Sequence, residues 1–465
     1  MNILHAASEV YPLISTGGLS SVVAALPSAL NSIDSVTACV IIPYYGDLVK
    51  SKIKIKWLSH EETFLGEAFG LAKTIIDGLT VFLVAKDEYF SREGIYGESA
   101  ETSWPDNPAR FSFFSRAVAS LTSLGGFVPD IIHCHDWQTS LIPVYLRDVD
   151  IPTVLTIHNL QFQGRYHHAE FLATFLPDTL YNISGLEFWG DWNSLKGGIV
   201  FSDQVTTVSP TYAEEIRTEQ FGNGLNGVLE ENKSKLTGIL NGIDMLLWNP
   251  EIDTKISRNY GIGKMRGKSE CKKNLCSELG LKPSTKAPLI GMVTRLTNQK
   301  GIDLVIDNVS WLMKKEISLV ILGTGEKWTE DSLLELSRKY PDRLSVTIGY
   351  NDKLARKIFS ASDVFLMPSV FEPCGLGQMM AMRYGSVPLV RNVGGLSDSV
   401  TEKTGFLFSG ETKEFQKKVE ELLVSWSNKK SWAWIRRRCM NEDFSWGGRL
   451  DDYMSVYKKA MESHK

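Results

Sequence analysis

The stretch "NILHAASEVYPLISTGGLSSVVAALPSAL", residues 2–30, reads as an apolar run, a turn with two glycines and a helical segment. That order decides the fold, because a strand running into a helix through a glycine turn is the unit from which parallel sheets are built. Paired glycines such as Gly17 and Gly18 let the backbone take positive φ and approach a ligand closely. The helix that follows points unpaired N–H groups at the turn, so phosphate is its natural guest. Yet the turn has neither the glycine spacing of a dinucleotide fingerprint nor the GK[ST] ending of a P-loop, and two residues before Gly17 stands Ser15, with no cation nearby.

Beyond this unit, short β-branched runs alternate with helical or polar stretches: "VTACVIIPYY", "LTVFLVA", "DIIHCHDW", "TVLTIHN" and "DQVTTVS". The same grammar restarts at "APLIGMVTRL" and continues through "ISLVILGTG", "LSVTIGY", "VFLMPS" and "SVPLVRN". Such alternation predicts α/β architecture with parallel sheets flanked by helices, in two doubly wound halves. Between them "GILNGIDMLLWNPEID" breaks the pattern, which places the boundary near residue 243 and the domains at 1–242 and 243–446. "GGLSSV" at 17–22 returns as "GGLSDSV" at 394–400, a weak echo consistent with duplication. Two such halves present their strand carboxyl ends to a shared cleft, where ligands of this architecture bind.

Composition excludes several classes of function. The 465 residues are 43% hydrophobic and 22% charged with net charge -4, ordinary for a globular chain and without the basic field that nucleic acid or an anionic membrane attracts. No apolar run is long enough for a bilayer span, and "MNILHAASEV" lacks a basic n-region, so a cytoplasmic protein is expected. Cys39, Cys134, Cys271, Cys276, Cys374 and Cys439 form no CxxC pair and are read as reduced thiols.

Several motifs invite chemistry. Gly222, Gly224 and Gly227 in "FGNGLNG" form a literal GxGxxG, but it follows the helical segment "TYAEEIRTEQ" instead of a strand, so a glycine-rich loop is expected there and no nicotinamide site. In "HCHDWQ", His133 and His135 share one face of a strand and, with Asp136, offer a metal ligand set. Lacking a partner cluster elsewhere, His133 is better read as packed and His135–Asp136 as a strand-end pair at the cleft. His167 and His168 are adjacent, diverge and are expected at the surface. In "VTRLTNQKG", Arg295 and Lys300 lie just past a strand, a spacing that suits two cations on a diphosphate or a solvated surface pair. The densest stretch is "SVFEPCGLGQMMAMRYG", in which Glu372 and Pro373 lead into Gly375 and a helix starting near Gly377. A carboxylate beside backbone N–H groups at a helix start suits sugar hydroxyls or an oxocarbenium-like charge next to a phosphate.

With these residues in view, the chain resembles the bacterial glycogen synthases and plant starch synthases. The matching segments run in order along nearly the whole chain: "SEVYP…TGGL", "DNPARF", "HCHDW", "IHNLQFQG", "LKGGIVFSDQVTTVSPTYAEEI", "GILNGID…WNP", "VTRLTNQKG", "FEPCGL" and "RYGSVPLVRNVGGLSDSV". The resemblance implies two Rossmann-like domains facing each other across a deep cleft, the GT-B arrangement of glycosyltransferases. A C-terminal helix at about 447–465 crosses back to the first, acceptor-side domain, and the second domain binds the nucleotide sugar. It further implies metal-free and cofactor-free transfer of glucose from ADP-glucose to the nonreducing end of an α-1,4-glucan such as glycogen, with retention. Carried over, Arg295 and Lys300 bind the diphosphate, Glu372 contacts the glucosyl unit, and His158 lies over the reacting sugar with its backbone carbonyl stabilising the anomeric cation. Asp136 and Asn241 border the sugar and phosphate pocket, and Ser15, Gly17, Gly18, Cys374, Gly375 and Leu376 contact substrate, with Tyr350 beside the nucleobase. Position 380 is Met380, as expected for glycogen synthases, which lack the second glutamate of many related transferases.

The chain departs from the family at the opening turn, where Ser15 replaces a lysine and Ser21 an aspartate, and in "HDWQ", where Gln138 replaces a histidine. Three readings follow: a working glycogen synthase, a related transferase using UDP-glucose or a smaller acceptor, and a glucan-binding protein of low or no turnover. The surviving set of Arg295, Lys300, Glu372 and His158 favours the first.

Overall fold

The computed structural model describes residues 1–46, 48, 53–64, 67–98, 102–121, 123–282 and 286–464. The chain divides into two compact units, Met1–Gly242 with Trp446–Lys465, and Ile243–Ser445. No helix among the described residues is long and apolar enough to cross a membrane.

In the first unit the strands are β1 (Asn2–Ala6), β2 (Thr37–Pro43), β3 (Lys56–Phe64), β4 (Glu67–Ile76), β5 (Leu79–Ala85), β6 (Ile131–His135) and β7 (Thr153–Ile157). Then come three short strands, β8 (Arg165–His167), β9 (Glu187–Phe188) and β10 (Asp191–Asn193), and finally β11 (Gln204–Thr207) and β12 (Leu236–Gly238). The main sheet has the order β12-β11-β7-β6-β1-β2-β5-β4-β3, and β8-β10-β9 form a separate small sheet. β1 and β6 are fully buried apart from Asn2 at its mouth, as expected of central strands covered on both faces.

The purely parallel expectation needs a correction at one edge, where β4 pairs antiparallel with both β5 and β3. The cause is local: Asp77 and Gly78, at φ 48° and 86°, form a two-residue hairpin between paired Ile76 and Leu79. Two positive φ values are what a type I′ turn requires, and Asp-Gly is among its favoured sequences.

The last helix, Leu450–Ser463, belongs to this unit. Its Tyr453, Val456, Tyr457 and Ala460 pack with Ile3, Val22, Leu26, Leu30 and Val154 in one buried cluster. Burial of each such large side chain stabilises by about 1.5–3 kcal/mol, which holds the C-terminal segment on the sheet.

The second unit carries β13 (Leu289–Val293), β14 (Ser318–Gly323), β15 (Leu344–Ile348), β16 (Val364–Met367), β17 (Val387–Arg391) and β18 (Phe406–Phe408). They pair in the order β15-β14-β13-β16-β17-β18, and every recorded pairing is parallel. Counted within the unit, this is the 3-2-1-4-5-6 order of a doubly wound nucleotide-binding sheet, whose crossover lies between β13 and β16. In the first unit the equivalent crossover lies between β1 and β6.

The glycine echo does not mark equivalent positions. Gly17 and Gly18 follow β1, the central strand, whereas Gly394 and Gly395 follow β17, so the second copy sits elsewhere in the winding order. All six cysteines are free and buried.

Candidate functional site

Ligands of doubly wound sheets bind beyond the strand carboxyl ends at the crossover, so those two places decide where chemistry can occur. In the second unit, β13 ends at Val293 and leads to Arg295 and a short turn, Asn298–Lys300, while β16 ends at Met367 and leads to Ser369 and Glu372. The two loops are tied together by the Val370 N–H, which donates to the Gln299 carbonyl at 2.8 Å. Gly301, at φ 66°, closes the first loop, and any side chain there would collide with the Pro368 carbonyl.

This geometry brings Lys300 Nζ to 2.6 Å from Glu372 Oε2, and both side chains are largely buried. The Ser369 hydroxyl donates to the same oxygen at 2.8 Å. Arg295 is exposed and donates to Gln299 Oε1 at 3.0 Å. Beyond Glu372 the chain passes buried Cys374, turns at Gly375 with φ 70°, and enters the helix Gly377–Arg383 with Leu376 as its cap residue. The Gly395 N–H donates to the Glu372 carbonyl at 3.0 Å, and a side chain at Gly395 would strike Cys374, so the second "GGL" serves to pack against the Glu372 loop. Tyr350 follows β15 and is 92% exposed.

At the crossover of the first unit, the turn after β1 is organised by a residue that sequence reasoning missed. Buried Glu9 accepts from the Thr16 N–H, the Thr16 hydroxyl at 2.9 Å and the Tyr96 hydroxyl at 3.2 Å. Burial raises its carboxyl above the usual range, which these donors partly offset. The glycines behave differently from expectation. Gly17 caps the helix Gly18–Leu30 in extended backbone, φ −173°, and Gly18 takes its first helical position, so neither needs the left-handed region. What Gly17 supplies is room, since nothing lies within 4 Å of where a Cβ would be. The Ser15 hydroxyl, on an exposed residue, lies 2.6 Å from the Ser20 hydroxyl, which itself donates to the Gly17 carbonyl. Ser21 is exposed on the first turn of that helix.

Across from the turn, β6 is followed by Asp136, which holds φ 57°, a left-handed conformation rare for a residue with a side chain. Its Oδ1 accepts the His158 N–H at 2.7 Å, and burial raises the carboxyl to about 7. His158, just beyond β7, joins a chain of imidazoles: its Nε2 lies 3.0 Å from His135 Nδ1, and His135 Nε2 lies 3.1 Å from His5 Nδ1. Burial lowers His158 to about 3 and holds His5, His133 and His135 well below the usual imidazole range, so all four are neutral near pH 7. His5 reaches this chain because β1 pairs with β6 in a register that sets His5 beside His133.

His5, His133 and His135 are near enough to resemble a metal site, but among the described residues every one of their nitrogens except His5 Nε2 is engaged. Both His135 nitrogens face imidazoles, and His133 bonds the Tyr457 hydroxyl at 2.9 Å and the Thr156 hydroxyl at 2.6 Å. The Asp136 carboxylate is turned to the His158 backbone instead of toward them. His133 is therefore the packed residue expected, and His135 is fully buried. His167 and His168 are exposed. Three buried amides keep an oxygen without a partner among the described residues, Gln138 Oε1, Asn241 Oδ1 and Gln378 Oε1. Ser369 and Glu9 stood in quoted segments, yet nothing in their spacing marked them as hydrogen-bond partners of the site.

Comparison with known proteins completes the description. Residues 2–231 match the starch synthase catalytic domain family, and residues 280–437 match the glycosyl transferases group 1 family. The chain is 42% identical to glycogen synthase 2 of Geobacter sulfurreducens over 485 aligned positions, covering 100% of both chains. It is 40% identical to glycogen synthase of Thermotoga maritima, covering 99% of each. Among solved structures, the catalytic domain of starch synthase IV from Arabidopsis thaliana, bound to ADP and acarbose, superimposes with TM-score 0.90 at 32% identity over 99% of each chain. Sucrose-phosphate synthase from Thermosynechococcus elongatus shares the fold, with TM-score 0.62 at 16% identity over 99% of each chain.

Proposed function

The chain belongs to the glycogen and starch synthase family of glucosyltransferases, with its two-domain GT-B architecture, and from that premise we propose that it elongates an α-1,4-glucan by retaining transfer of glucose from ADP-glucose. The observation that carries this reading is the Lys300–Glu372 pair at the β13/β16 crossover, a cation for phosphate and a carboxylate for sugar hydroxyls held in one hydrogen-bonded unit. The ADP held by the starch synthase neighbour supports adenine as the donor base.

In this reading the second unit grips the nucleotide sugar and the first carries the acceptor side. Lys300 and Arg295 take the diphosphate, and their charge stabilises the leaving group as the bond from C1 to phosphate oxygen breaks. Glu372, fixed by Ser369, accepts from glucosyl hydroxyls, while Gly375 and Leu376 offer backbone N–H groups. The His158 carbonyl faces the cationic anomeric carbon, and Asp136 holds that backbone in place through the His158 N–H. The acceptor 4-hydroxyl bonds to C1 on the face the diphosphate leaves, and its proton departs with the diphosphate. Asn241 Oδ1, an acceptor lacking a partner among the described residues, suits a substrate hydroxyl. Tyr350, exposed beyond β15, stacks beside the base.

The test is nucleotide release from ADP-glucose and from UDP-glucose, each with and without glycogen. Glycogen-dependent ADP release supports the proposal. Preference for UDP-glucose moves the donor assignment, and glucan retention without turnover moves the chain to a binding role.

A further inference from the structure

The small sheet of the first unit contains a turn whose sequence works against its geometry. Paired Phe188 and Asp191 leave Trp189 and Gly190 as a two-residue hairpin loop, with φ 55° and 82°. Two positive φ values are those of a type I′ turn, which favours Asn, Asp or Gly at its first position and disfavours a bulky side chain. The same chain uses Asp77-Gly78 for the same geometry at the β4–β5 hairpin. At the β9–β10 hairpin it places an indole instead, and leaves it 77% exposed. Burial therefore does not account for the choice, and turn propensity opposes it.

The surroundings suit a neutral, hydroxyl-rich ligand. One side of the hairpin rests on the glycine-rich loop that the sequence singled out: a Cβ on Gly224 would stand 3.1 Å from Phe188 Cζ and 3.8 Å from Trp189 Nε1. Gln163 Nε2 donates to the Asn223 carbonyl at 3.0 Å, linking that loop to the segment carrying Phe162, which is 50% exposed. Exposed Gln161 and Asn223 add amide groups, and the nearby cation Arg165 is paired with Asp191 at 2.7 Å. Aromatic faces with uncharged amides at their edges match a pyranose, whose C–H faces stack and whose rim hydroxyls bond.

We infer that Trp189 is a stacking platform for the α-glucan chain, held at a hairpin tip supported by the Gly222–Gly224 loop. The inference deepens the proposed function and rests on its assignment of a glucan acceptor. It assigns to Trp189 a grip on the polymer and no part in bond making.

The experiment measures retardation of the full-length protein in native gels cast with and without glycogen, with no donor present, alongside thermal melting and sedimentation. Trp189→Asn should weaken glycogen affinity about five- to tenfold while melting at the same temperature or about a degree higher, because Asn suits the turn better. Trp189→Tyr should keep most of the affinity. Unchanged retardation in Trp189→Asn overturns the platform even if the wild type releases ADP. A variant that loses retardation while the wild type shows no turnover keeps the platform and sinks the proposed reaction. Failure of glycogen to retard the wild type, or a shift from dimer to monomer in Trp189→Asn with glycogen affinity intact, also overturns it.

Discussion

Lys300 and Glu372 stand 2.6 Å apart across two loops that leave adjacent parallel strands, so the cation proposed for phosphate and the carboxylate proposed for sugar hydroxyls are held as one unit. The pair holds the lysine in a largely buried position, where the proposed function has it meet the phosphate charge. It also sets an opposite charge beside a buried carboxylate.

Replacing Lys300 with Ala should lower kcat/KM ten- to a hundredfold or more, from a charge-assisted contact of about 1.5–3 kcal/mol. Part of the loss belongs in kcat, because charge on the leaving diphosphate grows along the reaction. The substitution also strands Glu372, so Lys300→Ala combined with Glu372→Gln should regain thermal stability without regaining activity. Steady-state kinetics and melting curves on the three proteins check both parts.

Ser369→Ala removes one donor from Glu372 Oε2 and leaves Lys300 in place. A single neutral donor to a carboxylate contributes about 1–2 kcal/mol, so a five- to thirtyfold fall in kcat/KM for the nucleotide sugar is expected. Ser369→Thr, which keeps the hydroxyl, should recover part of it, and equal kinetics for all three would remove Ser369 from the site.

Much of this arrangement was legible in the sequence because it is local. The runs "LIGMV" and "VFLM" read as strands, and Arg295, Lys300 and Glu372 follow them within a few residues, so their place at strand carboxyl ends needed no tertiary knowledge. The Lys300–Glu372 contact itself was hidden, since the two residues are 72 positions apart and meet only because β13 and β16 become neighbours. His5 was invisible for the same reason: its imidazole partner lies 130 residues away, on a strand chosen by topology. The β4–β5 hairpin was missed although "IIDGLTV" carries the Asp-Gly signal between apolar runs. Gly17 was misjudged because two glycines suggest positive φ, whereas here they supply space before a helix.

The imidazole network predicts acid lability. His5, His133 and His135 have folded pKa values well below those of the unfolded chain, and His158 is lowered to about 3. Unfolding therefore takes up protons as pH falls below about 6.5, and stability present above that value is lost on acidification. Asp136 acts oppositely: its folded value of about 7 lies above the unfolded one, so its contribution falls as pH rises from about 4 to about 7. The histidines outnumber it. Urea midpoints should drop steeply from pH 6.5 to 5, and His133→Gln, whose side chain does not titrate, should show a shallower slope. An equal slope in wild type and variant would contradict the assignment.

Restoring the cation at the opening turn by Ser15→Lys should raise kcat/KM for ADP-glucose about tenfold, the size of one partly solvated charge-assisted bond. The position is exposed, so the side chain fits, at the loss of the hydroxyl contact to Ser20. Adding Ser21→Asp should give more than the sum of the single changes, as coupled neighbours do. Lower activity in Ser15→Lys would mean that the turn has been rebuilt around its serine for another donor.

The most direct test of the central claim is ADP release from ADP-glucose by the purified protein, followed with and without glycogen and repeated in EDTA. The account predicts release that requires glycogen, lengthens its chains and persists with chelator, since Lys300 and Arg295 supply the positive charge at the leaving group. Absence of glycogen-dependent release from ADP-glucose, or release abolished by EDTA and restored by magnesium or manganese, would contradict it.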